Sequence, residues 1–303
     1  RVVRLLYGIT TLALLLALVA AVVLSRRLSR PVDELVTFTR RITDGKLEPI
    51  QIDGIRKVRT LGAAMNQMVT ELATSRVQLA EATRQAKELE IAQRIQMSIL
   101  PRNFAVPGLT LSAQMVPASE VGGDYYDVIP VSDGCWIGIG DVAGHGLPAG
   151  MVMLMVQSAF HALVRSRPNA APHELVIQLN QVLFENVRNR LNTDEHVTFT
   201  AARYFSSGKL VFAGAHEAPL VLRKLTVSCE LIPTPGTWLG VIENIRHATT
   251  DSTLQLELGD VVVFYSDGVT EAMNERREQL GIERLSSELV RGKGRSAAEI
   301  HHQ

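Results

Sequence analysis

The chain has 303 residues, is 46% hydrophobic and 20% charged, and carries 31 Lys+Arg against 31 Asp+Glu. That composition excludes global disorder, and the even charge excludes a uniformly basic nucleic-acid binder, so no nucleic-acid partner is expected. The balance hides an asymmetry: residues 1–100 hold 15 Lys+Arg and 9 Asp+Glu, whereas residues 101–303 hold 16 and 22. Cys135 and Cys229 are far apart and match no zinc spacing, which predicts two free thiols in a reducing compartment.

Leu5 to Leu24 contains no charged residue, and about 20 apolar residues is the length that crosses a bilayer. Arg1 and Arg4 precede this run, and Arg26, Arg27 and Arg30 follow it. A signal peptide with a loose Val19-Ala20-Ala21 cleavage site is the rival reading. The length of the run and the arginines behind it favour a span, residues 1–24, with the bulk of the chain on the cytoplasmic side of the inner membrane.

Pro31, Asp33 and Glu34 mark the first turn of a helix that carries Leu28, Val32, Leu35 and Ile42 on or near one face and ends at Asp44-Gly45. A connector, Lys46 to Ile55, contains Pro49 and Gly54. The next helix repeats Val58, Leu61, Met65, Met68 and Leu72 at steps of 3, 4, 3 and 4, a coiled-coil seam. Two helices joined by an extended connector behind a membrane span resemble a HAMP domain, over residues 25–75. Arg30-Pro31 and Leu61…Met65-Asn66-Gln67-Met68 carry that resemblance, and Arg56-Lys57-Val58-Arg59 departs from the acidic start usual there. It implies a four-helix bundle shared by two chains, hence a homodimer. The seam continues through Leu72, Leu79, Ala82, Ala86 and Leu89, then takes an extra step of three, which locally overwinds a coiled coil. Residues 76–101 are expected to be a coiled-coil signalling linker ending at Pro101.

Residues 102–303 read differently. Leu109, Leu111, Ala113 and Met115 alternate with polar residues and predict a strand. Gly122-Gly123-Asp124-Tyr125-Tyr126-Asp127 leads to a Ser132-Asp133-Gly134 turn and then to Cys135–Asp141, a hairpin that brings Asp124 and Asp127 to the same end as Asp141. Val142-Ala143-Gly144-His145-Gly146 forms a tight turn into a helix from Pro148 to about Arg165. A second helix spans roughly 172–191, and strands are predicted at Val197–Tyr204, Lys209–Ala215, Pro219–Leu222 and Val261–Tyr265. The continuous apolar run of the last predicts a strand buried on both faces, ending at Asp267. Clustered carboxylates without His or Cys partners suit Mg²⁺ or Mn²⁺, although Asp beside Gly is also ordinary turn chemistry.

Five stretches together resemble the SpoIIE/RsbU-type branch of the PP2C-like serine phosphatases, over residues 88–303. They are Ile95-Gln96…Leu100-Pro101, Gly122–Asp127, Gly140-Asp141-Val142-Ala143-Gly144-His145-Gly146, Gly236…Leu239-Gly240, and Tyr265-Ser266-Asp267-Gly268-Val269-Thr270-Glu271-Ala272. The resemblance implies an α+β sandwich of two antiparallel sheets flanked by helices, behind the transmembrane helix, HAMP bundle and linker. It implies two divalent ions, Mn²⁺ or Mg²⁺, with Asp141 bridging them, the Val142 carbonyl assisting, Asp124 binding or orienting metal-bound water, and Asp267 holding the first ion. A metal-activated water would attack phosphoserine or phosphothreonine, and the substrate would be a phosphorylated STAS-type anti-sigma-factor antagonist. Asp127 is placed behind the ligands, and His145 shapes its turn. Ala213-Gly214-Ala215-His216 departs from the Asn-Ala-Gly-His usual there, with His216 read as structural. The closing Asp-Asp-x-Thr strand of the family does not occur before Gln303, so the domain is expected to be C-terminally incomplete. Two other readings are a catalytically inactive docking module and a diguanylate cyclase, suggested by Gly122-Gly123-Asp124. Tyr125-Tyr126, where that signature has an acidic residue, argues against the second.

Overall fold

Alternating apolar residues and two helix periods build the structure in two parts. The computed structural model describes residues 2–51, 55–101, 105–117 and 121–302. Arg1, Gly54 and Gln303, and the side chains of Arg4 and Leu28, lie outside the described residues. The chain divides into units 1–87 and 88–303.

In the first unit, α1 (Val2–Leu24) passes through a wider helical turn at Ser25–Ser29 into α2 (Arg30–Thr43). Every described side chain of α1 is exposed. Pro31 sits in the first turn of α2, and Asp44 closes it ahead of Gly45, whose φ of 84° lies in the left-handed region. The buried face of α2 is Pro31, Leu35 and Phe38. Val32 is exposed, because Leu35 is joined on the buried face by Pro31 and Phe38, at i−4 and i+3, and not by Val32. Asn66 pins the connector: its Nδ2 donates to Ile50 O at 2.7 Å and its Oδ1 accepts from Ile50 N at 3.0 Å. The second helix and the linker form one 44-residue helix, α3 (Arg56–Ile99). Val58 and Val69 are buried, whereas Leu61 and Met68 of the seam are 53% and 49% exposed.

In the second unit the strand expected at 109–115 does not form. Val106 and Leu109 make an isolated bridge, and the remainder forms no ladder. Its burial only partly follows the period of two: Leu109 and Leu111 pack on one cluster and Met115 in another, but Ala113 is exposed. The hairpin is present, with β1 (Tyr125–Val131) antiparallel to β2 (Gly134–Val142) and Tyr125 opposite Gly140. Then follow α4 (Leu147–Ser166), α5 (Pro172–Leu183) with a wider helical continuation to Leu191, β3 (Val197–Phe205), β4 (Lys209–Ala215), β5 (Leu220–Leu222), β6 (Cys229–Leu231), β7 (Ser252–Gln255) and β8 (Val261–Val263). Short helices α6 (Asp267–Thr270), α7 (Gly281–Arg291) and α8 (Ala297–His301) complete the described chain. One sheet has the order β1-β2-β3-β4-β7 and the other β6-β5-β8, with all pairings antiparallel. β8 is thus an edge strand with half-buried valines, not a strand buried on both faces.

Strand alternation sorts the first sheet into two faces. Tyr125, Trp136, Phe199 and Ala201 meet α4 and α5, whereas Cys135, Ala202, Tyr204, Leu210 and Phe212 form the opposite cluster with Ile232 and Phe264. Phe160 of α4 is fully buried, edge-on to Phe199 at 5.2 Å and to Trp136 at 6.4 Å. The apolar character of α4 therefore serves the core. Cys135 is buried and Cys229 half-buried, and both are free thiols. Phe160→Ala is expected to destabilise this unit by about 3–5 kcal/mol. In a thermal melt of the detergent-solubilised chain, that lowers its transition by roughly 6–20 °C.

Candidate active site

The hairpin register sets the first half of the site. Because Tyr125 faces Gly140, the residues just outside that pair, Asp124 and Asp141, meet at the same end of the sheet. Gly123 is pressed against the partner strand. A Cβ there would lie 2.6 Å from Val142 O and 2.9 Å from Asp141 Oδ1, so only glycine lets this backbone approach both groups. Val142 N donates to Gly123 O at 3.2 Å and fixes the approach.

The second sheet delivers the third aspartate. Beyond β8, Tyr265 is buried, Ser266 partly so, and Asp267 is exposed at the start of α6. His216 ties this end to the first sheet. Its Nε2 lies 3.1 Å from Tyr265 O and its Nδ1 2.9 Å from the Thr198 hydroxyl. A carbonyl can only accept, so Nε2 carries the proton and Nδ1 accepts from Thr198. Burial holds His216 neutral by lowering its pKa to about 4, although Tyr265 O and the charge of Asp267 oppose that. Thr198 faces Asp141 across β2 and β3, and its hydroxyl also lies 3.3 Å from Asp141 O.

Electrostatics show the three aspartates to be one cluster. Burial first, then the charges of Asp124 and Asp267, push Asp141 up to about 7. Asp124 is raised by burial and by Asp267, and lowered by a hydrogen bond from Ser266. Its Oδ1 is buried without a hydrogen-bond partner among the described residues. Among those residues no three His, Cys, Asp or Glu side chains lie together as a metal-binding group. The residues nevertheless fit divalent cations. An orphaned carboxylate oxygen, a carboxylate destabilised by its neighbours and a glycine that clears room beside Val142 O all call for positive charge here, and an all-oxygen donor set suits hard ions.

Asp127 stands apart. It is buried against the Tyr125 hydroxyl, 3.3 Å away, and His161 Nδ1, 3.6 Å away. His145 is exposed on its loop. Three supporting residues were given no such role from the sequence, whereas His216 was read as structural. They are Thr198, Ser266, and Asn180, which is fully buried on α5. Asn180 donates to Ile242 O and Glu243 O and accepts from Gly240 N, which holds the Gly236–Gly240 segment. Leu239 in that segment pairs with Val197, itself opposite Val142. Nothing in the stretch Leu175–Leu183 singled Asn180 out, because Gln178 and Gln181 are polar there too.

Two antiparallel sheets with helices outside and aspartates at a shared end define a PP2C-like phosphatase fold. The SiaA-PP2C domain of Pseudomonas aeruginosa has the same fold, with a TM-score of 0.58 and 18% identity, covering 74% of this chain and 88% of that one. The family described as "Stage II sporulation protein E (SpoIIE)" matches residues 132–303, more than half the chain, which therefore belongs to the SpoIIE family. That match includes Asp141 and Asp267, while Asp124 precedes it. "Phosphoserine phosphatase RsbU" of Bacillus subtilis (strain 168) is 30% identical over 193 residues, 62% of this chain and 55% of that protein. "Protein IcfG" of Synechocystis sp. (strain ATCC 27184 / PCC 6803 / Kazusa) is 28% identical over 293 residues, 86% of this chain and 45% of that protein. The chain spans about half the length of these curated relatives.

The clustered charge has a measurable consequence. Asp141 has a folded pKa near 7 against an ordinary 3.8, so the folded state binds more protons between these values. Metal-free stability therefore falls as pH rises from about 4 to about 7. Asp141→Asn is expected to raise the metal-free melting temperature at pH 8 by roughly 2–4 °C. The gain should shrink as the pH falls through 7, and differential scanning fluorimetry across pH reads it.

Proposed function

We infer that this chain is a membrane-anchored, metal-dependent protein-serine/threonine phosphatase of bacterial signal transduction. The observation that carries the reading is the electrostatically coupled Asp124–Asp141–Asp267 cluster at the junction of two sheets, in a member of the SpoIIE family. Asp141, Asp124, Asp267 and the Val142 carbonyl would hold two divalent cations, Mn²⁺ or Mg²⁺. Bound cations of this kind neutralise phosphoryl oxygens and make a water available as hydroxide near neutral pH.

The chain's own groups do the positioning. Asp141, which resists ionisation when alone with its neighbours, gives up its proton as positive charge arrives, so cation binding is coupled to proton release. The His216 bridge keeps the carrier of Asp267 in register with that of Asp141. Ser266 orients Asp124. Gly123 leaves the space beside Asp141 and Val142 open to a phosphoryl group. The carboxylates serve as ligands, so no phosphoenzyme is required.

RsbU is by name a phosphoserine phosphatase, which supports phosphoserine or phosphothreonine as the substrate class. The regulatory protein that carries it would be a STAS-type anti-sigma-factor antagonist. α1 is 23 residues long and exposed on all sides, long and apolar enough to cross a membrane, which supports an inner-membrane anchor with a cytoplasmic catalytic domain. The α2–connector–α3 arrangement supports a HAMP domain over 25–75 and a linker over 76–101. Exposed Leu61 and Met68 in the first segment and exposed Leu79 in the second support a homodimer through both.

Asp141→Asn and Asp267→Asn should each lower Mn²⁺-dependent hydrolysis of a phosphoserine peptide at least 100-fold, on the order of the loss seen when metal sites are disturbed. Retained activity in both variants rejects the assignment. Leu61→Glu combined with Met68→Glu should shift the detergent-solubilised chain from dimer to monomer in analytical ultracentrifugation, since like charges would face each other across the seam.

A further inference from the structure

We propose that Gln96, on the last turns of α3, is a positioning residue that sets the cation affinity of the Asp124 side of the site. The inference rests on the reading of Asp124, Asp141 and Asp267 as cation ligands. Gln96 is 1% exposed, unusual for a long amide side chain on a helix whose Ile91 and Ile95 are half exposed. Its burial is explained by one contact. Nε2 donates to Gly122 O at 2.6 Å, and Oε1 accepts from Gly122 N at 3.2 Å. The side chain thus satisfies both backbone groups of Gly122 as a neighbouring strand would.

What Gln96 grips lies immediately beside the ligands. Gly122 precedes Gly123, which abuts Val142 O and Asp141 Oδ1, and Asp124 follows. The segment Val121–Asp124 is held on three sides. Val142 N bonds Gly123 O. Val121 is buried against α4 at Gly150, where a Cβ would come within 2.1 Å of Val121 Cγ1. Gln96 supplies the third hold, a side-chain amide gripping Gly122 on both backbone groups. The β2 and α4 contacts come from elements that carry the core. The Gln96 contact comes from α3, so the placement of α3 enters the geometry of Asp124 through this amide. Removing it leaves the Asp124 Oδ1, which has no hydrogen-bond partner among the described residues, on a segment that has lost its link to α3.

The anchoring of α3 itself does not depend on Gln96. Leu100 is a buried member of the main core cluster, and Met97 packs against it. Loss of the amide should therefore free the Gly122–Asp124 backbone without detaching the helix. That separates a positioning role from a packing role.

The test uses the full chain in detergent, with Mn²⁺ alone as the probe, by isothermal titration calorimetry. Gln96→Met keeps the length and bulk of the side chain and loses both hydrogen bonds. Gln96→Ala loses the bulk as well. Both are expected to weaken Mn²⁺ binding about 10–100-fold, the usual range for groups that orient metal ligands. The metal-free melting temperature of Gln96→Met should stay within roughly 2 °C of the parent, less than 1 kcal/mol for a unit of this size. Saturating Mn²⁺ should restore kcat, because the ligands themselves are intact. Unchanged Mn²⁺ affinity in Gln96→Met, with normal binding by the parent chain, overturns the inference and leaves the cation site standing. A melting temperature that falls in step with affinity in both variants also overturns it, by assigning Gln96 to packing. If the parent chain binds no Mn²⁺, the reading of the site falls and takes this inference with it.

Discussion

Three carboxylates that repel one another are held at the common end of two sheets, and the rest of the second unit can be understood as what keeps them there. Asp141 ionises only near pH 7 because burial and two negative neighbours disfavour its charge. A cluster of this kind would open if the backbone around it could relax. The core opposes that. Phe160, Phe199 and Trp136 lock α4 onto the first sheet at fully buried positions, and β2, which carries Asp141, is a central strand paired on both sides. Stability is invested in the scaffold, and the instability is confined to the site.

Joining two sheets at one site poses a second problem, since each sheet could slide relative to the other. His216 addresses it with a bond to each side, Thr198 in the first sheet and Tyr265 just beyond the second. Neutrality is what makes the link directional. A neutral imidazole has one donor and one acceptor, and here the partners demand that order: a carbonyl on Nε2 and a hydroxyl on Nδ1. A protonated ring would present two donors, and Thr198 would have to turn its hydroxyl toward Asp141 O instead. Burial, by holding the ring neutral, therefore selects the arrangement that joins the sheets.

Much of this was legible in the sequence because it is local. The hairpin at 125–142, the helix opening at Leu147-Pro148 and the strand at 209–215 are each specified by turn residues and a clean period, and the hairpin alone places Asp124 beside Asp141. What the sequence hid was non-local. The alternation at 109–115 is present in the sequence, but Ala113 is exposed and no partner strand forms, because periodicity says nothing about whether a partner exists. The apolar run at 261–263 resembles a central strand, yet its position at an edge is decided by topology. Asn180, Thr198 and Ser266 are ordinary polar residues until the fold shows which carbonyl, ring or carboxylate each one meets. The inward face of α2 keeps Leu35 but takes Pro31 and Phe38 and leaves Val32 exposed, and only packing chooses between those stripes.

The first unit extends the same reasoning to surfaces. α3 has two apolar faces with different fates. Val58 and Val69 are buried within the chain, whereas Leu61, Met68 and Leu79 remain exposed. A helix that only spaced two units would need neither face, and one that only packed on α2 would need the first alone. The second face has the heptad spacing of a seam and lies open in the single chain. It continues toward the part of α3 that holds Gln96. A change of pairing along such a seam alters helix phase, because heptad spacing and the natural helix repeat differ by a small twist per turn. Ile91 and Ile95 are exposed while Gln96 is buried, so a rotation that covered the isoleucines would act on the residue facing the other way.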